Sequence, residues 1–172
     1  MSTSNLPGLT LAEPAWSGEA PDPLIKPALY DGILSRRSAA YLVDLAILVA
    51  IDLAIHTLLI VVGVLSLGTL WLALGPILPF ISFIPIAVAY DTWLIGGARS
   101  ATLGMRWLDV EFRGWNGAKP EYWQAFLNSA LFYATISFTG FLILLIGLFT
   151  PRHRAVHDYL SGMVAVRGGA LS

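Results

Sequence analysis

From Ser35 the chain reads S-R-R-S-A-A-Y-L-V-D-L-A-I-L-V-A-I-D-L-A-I-H, which sets Arg37, Asp44, Asp52 and His56 inside a run that is otherwise apolar. A hydrophobic helix of this length reads as a membrane span, because about 20 apolar residues cross the hydrocarbon core. Acids at that depth cost about 2.5–3.5 kcal/mol each on insertion scales, so they face protein or water and take partners. Seven residues turn a helix through about 700°, which leaves Arg37 and Asp44 within about 20° of one face. The chain must therefore fold with polar side chains turned inward and apolar ones turned to lipid.

Composition agrees with an integral membrane protein. The chain is 56% hydrophobic and 12% charged, about half the charged fraction of a typical soluble domain. Its net charge of −1 gives no field that favours nucleic acid. The absence of cysteine removes disulfides, thiolate chemistry and cysteine-type zinc sites. Residues 1–34 differ from the rest: they hold five of the ten prolines, and Glu13, Glu19, Asp22 and Asp31 stand against a single Lys26. That composition predicts a solvated, Pro-stiffened tail, and it contains no basic-then-apolar pattern of a cleavable signal. The domain plan is a tail over 1–34, a transmembrane domain over 35–167 and a disordered end over 168–172.

Three hydrophobic blocks follow. The first runs from about Arg37 to Gly63. The second starts near Gly75, Pro76 and Pro79 and continues to about Gly96, with Pro85 expected to bend it. The third spans Trp123 to Phe149, and its centre from Thr135 to Gly140 is softened by Ser137, Thr139 and Gly140. Trp71, Trp93 and Trp123 fall near span ends, where indoles favour the headgroup region. Arg36 and Arg37 precede the first span, and Arg99, Arg106, Arg113 and Lys119 follow the second. The positive-inside rule then puts the N-terminus and the long loop in the cytoplasm. The basic tail, with Arg152, Arg154 and Arg167, prefers the same side, although one plain crossing by the third block would put it outside.

Leu108–Phe112 and, more weakly, Met163–Arg167 alternate as half-buried strands do. Neither is stable alone, so pairing would bring loop and tail to one side. The expected fold class is an all-α membrane bundle of two full spans plus a broken or re-entrant third block, with a small two-stranded cytoplasmic ribbon. Three plain spans are the alternative.

Three segments carry a resemblance: R-R-S-A-A-Y-L-V-D (Arg36 to Asp44), S-A-T-L-G-M-R-W-L-D-V, and R-H-R-A-V-H-D-Y-L-S-G-M-V-A-V. In this order and spacing they resemble the RDD family of bacterial membrane proteins, named for one arginine and two aspartates. The resemblance extends from about Tyr30 to Arg167. It matches Arg37, Asp44 and Asp158 to the named residues, and Met105 stands where the family pattern often has lysine. It implies a multi-pass protein of the bacterial inner membrane, and cation/proton exchange has been proposed for some members.

Spacing brings Arg37, Asp44 and Asp91 to similar depth if the first two spans pack antiparallel. One arginine between two acids makes either a cation or proton site or a structural ion pair. Asp52 and His56 stand four residues apart and can bond along one face, either as a proton relay or as a satisfied buried pair. Asp158 is expected to pair with an arginine, with Arg37 as one choice. His153, His157 and Asp158 have a spacing that metal sites use, but Arg152 and Arg154 beside them favour an anionic neighbour. Catalytic signatures such as a nucleophile elbow, a phosphate loop or a zinc-protease helix are absent from the sequence, and no cofactor is expected. Two functions remain: cation/proton transport through the Arg–Asp network, or a non-catalytic accessory module acting through partner proteins. The expected partners are the lipid bilayer, protons or monovalent cations, and a second copy or another membrane protein.

Overall fold

The computed structural model describes residues 14–67, 75, 77–139, 150 and 152–171. Helix α1 runs Ile33–Leu67, four residues earlier and four later than the first span expected from sequence. Among the described residues it is the one helix long and apolar enough to cross a membrane. Its packing is inside out. Ala40, Asp44, Leu48, Asp52 and His56 are buried at successive four-residue steps, while Leu42, Val49, Leu53, Leu58 and Leu65 are exposed. Each four-residue step advances about 40° around the helix, so the buried stripe slants and carries both acids inward.

Helix α2, Leu78–Ile95, retains Pro85 within a continuous helix. It lies antiparallel to α1, because Tyr90 bonds Asp44 and Ser82 bonds Asp52. The short helix α3, Leu103–Trp107, begins at Thr102, whose hydroxyl accepts the Met105 N–H. This is the usual satisfaction of an orphan donor in the first turn. Helix α4, Tyr122–Thr139, packs along α2, with Trp93 against Tyr122 at one end and Ala87 with Tyr133 in a shared core further along. Helix α4 runs unbroken through Thr135–Thr139, most of the softened centre, while residues 140–149, which decide between a broken and a plain third block, and Trp71 on the link lie outside the described residues.

Strands β1 (Val110–Gly114) and β2 (Met163–Arg167) form an antiparallel ribbon, with Phe112 opposite Ala165. The first strand begins two residues later than the alternation predicts, because Asp109 takes a left-handed φ of 58° that ends strand geometry there. Between the ribbon and α4 the chain turns through Trp115–Asn116–Gly117. Helix α5, Val156–Leu160, leads into β2. The ribbon brings loop and tail together, and Phe112, Met163, Val164 and Val166 form a core with Ile33 and Ile95 at the ends of α1 and α2.

Residues 14–34, read from composition as a solvated tail, are packed onto that core. Trp16, Ala20, Leu29 and Tyr30 are buried in it. Trp16 Nε1 donates to the Trp115 carbonyl at 3.1 Å, and Tyr30 Oη donates to the Pro21 carbonyl at 3.0 Å. Gly117 makes the docking possible: its φ is +79°, and a Cβ would press into the Trp16 backbone. Burial of two aromatics outweighs the proline content, since each buries a large apolar area. The end over 168–172 is likewise held where it is described. Residues Gly168–Ala170 form a 3-10 turn, and Gly169 N–H donates to Asp109 Oδ1 at 2.7 Å.

Candidate functional site: a saturated ion pair beside an acidic cavity

Arg37 leaves the first turns of α1 and reaches α5. Its Nη1 and Nη2 donate to Asp158 Oδ2 and Oδ1 at 2.7 and 3.1 Å, the two-pronged geometry that makes arginine–carboxylate pairs strong. Nη1 also donates to the His153 carbonyl at 3.1 Å, and the guanidinium lies over the Phe112 ring. Asp158 is wholly buried and accepts two further bonds, from Ala155 N–H at 3.0 Å and Asn128 Nδ2 at 3.2 Å. Burial works to raise its pKa, but the Arg37 charge, His157 and the Ala155 N–H outweigh it and hold the carboxyl at about 2. Arg154 ties the same turn together by donating to the Asp158 and Met163 carbonyls.

Asp44 is reached by different partners. Tyr90 Oη and Gly104 N–H donate to its Oδ1 at 2.8 Å each, and Thr102 Oγ1 donates to Oδ2 at 2.5 Å. Gly104 lets α3 approach this closely, because a Cβ there would strike the Ala40 carbonyl and the Asp44 carboxylate. Among the described residues no ion pair joins Arg37 to Asp44. The expectation that one arginine half-neutralises two acids is therefore corrected: Arg37 is committed to Asp158, and all three donors to Asp44 are neutral.

Between these groups lies a cavity of about 330 Å³, lined by Arg37, Tyr41, Asp44, Asp91, Phe132 and Tyr133 among others. Asp91, on α2, has the Asp44 carboxylate and the Tyr133 hydroxyl as polar neighbours. Ser129 and His157 also line the cavity. Each is buried, and Ser129 Oγ and His157 Nδ1 have no hydrogen-bond partner. Burial pushes the His157 pKa below the ordinary imidazole value, so the ring is neutral near pH 7. Its Nε2 faces Asp158 Oδ1 at 3.5 Å. An N–H placed there leaves Nδ1 as a bare acceptor.

The third polar group is further along α1. Asp52 lies eight residues past Asp44, about 12 Å along the axis. His56 Nδ1 donates to the Asp52 carbonyl at 2.7 Å, and Ser82 Oγ stands 3.1 Å from both Asp52 Oδ1 and His56 Nε2. Ser82 has one hydrogen to give. Two arrangements satisfy both contacts: ionised Asp52 with protonated His56, or neutral Asp52 with neutral His56. They differ by one proton passed across the serine.

The structure thus pairs Arg37 with Asp158 and Asp52 with His56, and sets Asp44 and Asp91 on a cavity that Arg37 also lines. Sequence reading missed Tyr90, Thr102, Ser82, Asn128 and Ser129. Ser82 and the pair Asn128–Ser129 had a visible signal, being polar residues at mid-block in apolar runs. The role of Gly104 as a backbone donor had none, since it depends on how α3 approaches α1.

No curated protein and no solved structure matches the chain. The sequence profile of the RDD family matches residues 32–162, a stretch that holds Arg37, Asp44 and Asp158 together with the donors that surround them. The chain belongs to the RDD family.

Proposed function

We propose that this protein moves cations against protons across the bacterial inner membrane, as a multi-pass protein with a cytoplasmic N-terminus. The observation that carries the reading is the cavity in which Asp44 and Asp91 meet with neutral donors around them. Carboxylates without a fixed cation hold either a proton or a cation, and alternation between the two is the elementary step of exchange. The Asp52–Ser82–His56 cluster supplies a second proton-holding station on the same slanting buried stripe of α1, about 12 Å further on. Small helical proteins enclose a full pathway by associating, so a homo-oligomer belongs to this proposal. The ribbon cap and docked tail favour a second reading, a non-enzymatic module that engages partner proteins through this folded face.

Purified protein in sealed vesicles, with internal pH followed after pulses of Na⁺, K⁺ or Li⁺, tests the proposal. Wild type is expected to move protons, and folded Asp91→Asn is expected not to. Equal, background-level signals from wild type and empty vesicles would move the reading to the accessory module.

A further inference from the structure

The cavity walls specify the chemistry of an occupant, and this inference rests on reading the cavity as a cation site. Charge comes first. Arg37 and Asp158 cancel as a bidentate pair and His157 is held neutral by burial, which leaves the carboxyls of Asp44 and Asp91 and the His153 ring as the other titratable carboxyl and imidazole groups of the lining. Hydrogen bonding comes second. Asp44 already takes three donors, whereas Asp91 and the unpartnered His157 Nδ1 offer acceptors, and the unpartnered Ser129 hydroxyl can accept or donate. Buried polar atoms without a protein partner are uncommon in folded proteins and are satisfied by water or by a ligand. Shape comes third. Leu34, Leu42, Ile95, Met105, Phe112 and Phe132 make the remainder of the wall apolar. Phe132 sits edge-on to Tyr41, Tyr133 and His157 at centroid distances of 5.1–5.4 Å, a cluster suited to an aryl group.

We infer that the cavity binds a protonated primary amine carrying an apolar or aromatic body, with its ammonium at Asp91 and an N–H directed to His157 Nδ1. An alkali ion would use the acids and leave the apolar remainder of the wall unmatched, whereas an amine with an apolar body uses both. A volume near 330 Å³ lies at the small end of ligand pockets and fits a one-ring amine. An ethanolamine lipid presents the same ammonium but adds a phosphate, and the cation nearest to meet it, Arg37, is already spent on Asp158. The soluble amine is therefore the better fit.

The test uses the full chain in detergent and reads thermal stability and calorimetric binding. The probes are 2-phenylethylammonium, its N-trimethyl analogue, 2-phenylethanol, Na⁺ and phosphatidylethanolamine. The primary amine is expected to bind saturably and raise Tm. Replacing its N–H groups by methyls, or Asp91 by Asn, is expected to weaken binding at least about tenfold, the worth of a charge-assisted hydrogen bond. Ser129→Ala, a small change that spares the Arg37–Asp158 junction, is expected to weaken it by less. Binding of 2-phenylethanol or the trimethyl analogue as strong as that of the amine would overturn the inference. So would stabilisation by phosphatidylethanolamine with none by the amine, or amine binding unchanged in Asp91→Asn. Amine binding without coupled proton movement would uphold the inference and remove the transport reading. Alkali-ion flux with no amine binding would do the reverse.

Discussion

Asp158 and Asp44 are both buried carboxylates near the N-terminal half of α1, and both are held by several donors, yet their surroundings differ in kind. Asp158 has a full positive charge against it, and its two oxygens are saturated by Arg37, Ala155 and Asn128. Asp44 has a tyrosine, a threonine and a backbone N–H, all neutral, and shares its cavity with a second acid, Asp91. A saturated pair has nothing left to exchange, and its consequence is architecture: it fixes α5 and the ribbon to α1. Asp44 has no fixed cation against it, and it faces a cavity in place of a partner element. The contrast assigns two of the family's three named residues to assembly and the third to the cavity wall.

The largest expected effect comes from breaking the pair. Arg37→Ala leaves a buried, uncompensated carboxylate, a change that costs about 3–5 kcal/mol. Thermal unfolding in detergent should show it as a large drop in Tm, and the double variant with Asp158→Ala should lose less than the sum of the two singles. Additive losses would mean that the pair is not the unit described here.

Acid gives the next effect. The Asp158 pKa is depressed from 3.8 unfolded to about 2 folded. Its contribution is complete above about pH 4 and disappears as pH falls through about 2, amounting to about 2 kcal/mol. A Tm that declines across that window is expected, and a flat profile would separate Asp158 from the stability of the fold.

Thr102→Val gives the smallest effect. It removes one neutral donor from Asp44 and also the side-chain cap of α3. The expected loss is about 1–1.5 kcal/mol, well below that of Arg37→Ala. A loss equal to that of the arginine variant would erase the distinction between the two regions.

Much of the helical framework and of the ribbon was legible because its signal is local. The apolar runs, Pro85 within the second block and the alternation at Met163–Arg167 each report on their own neighbourhood. The inward face of α1 followed from the cost of acids in lipid, which needs no tertiary knowledge. What escaped is what depends on approach. The Arg37–Asp158 pair is offered as one choice by the sequence, but what selects it over Asp44 is where α5 docks, 121 positions away in the chain. The donors Tyr90, Thr102 and Gly104 converge on Asp44 because α2 and α3 pack there, and each is an ordinary residue in its own segment. Composition also misled over residues 14–34, where prolines and acids outnumber Trp16 and Tyr30 but do not outweigh them.

The most direct test sets the two regions against each other in one assay. Proton-coupled cation flux would be measured in sealed vesicles for folded Asp91→Asn and for Arg37→Lys, which keeps the charge of the pair while losing its fork. The account predicts flux abolished in the first and retained, at lower stability, in the second. Flux retained in Asp91→Asn and abolished in Arg37→Lys would contradict it and place the working charge at the ion pair.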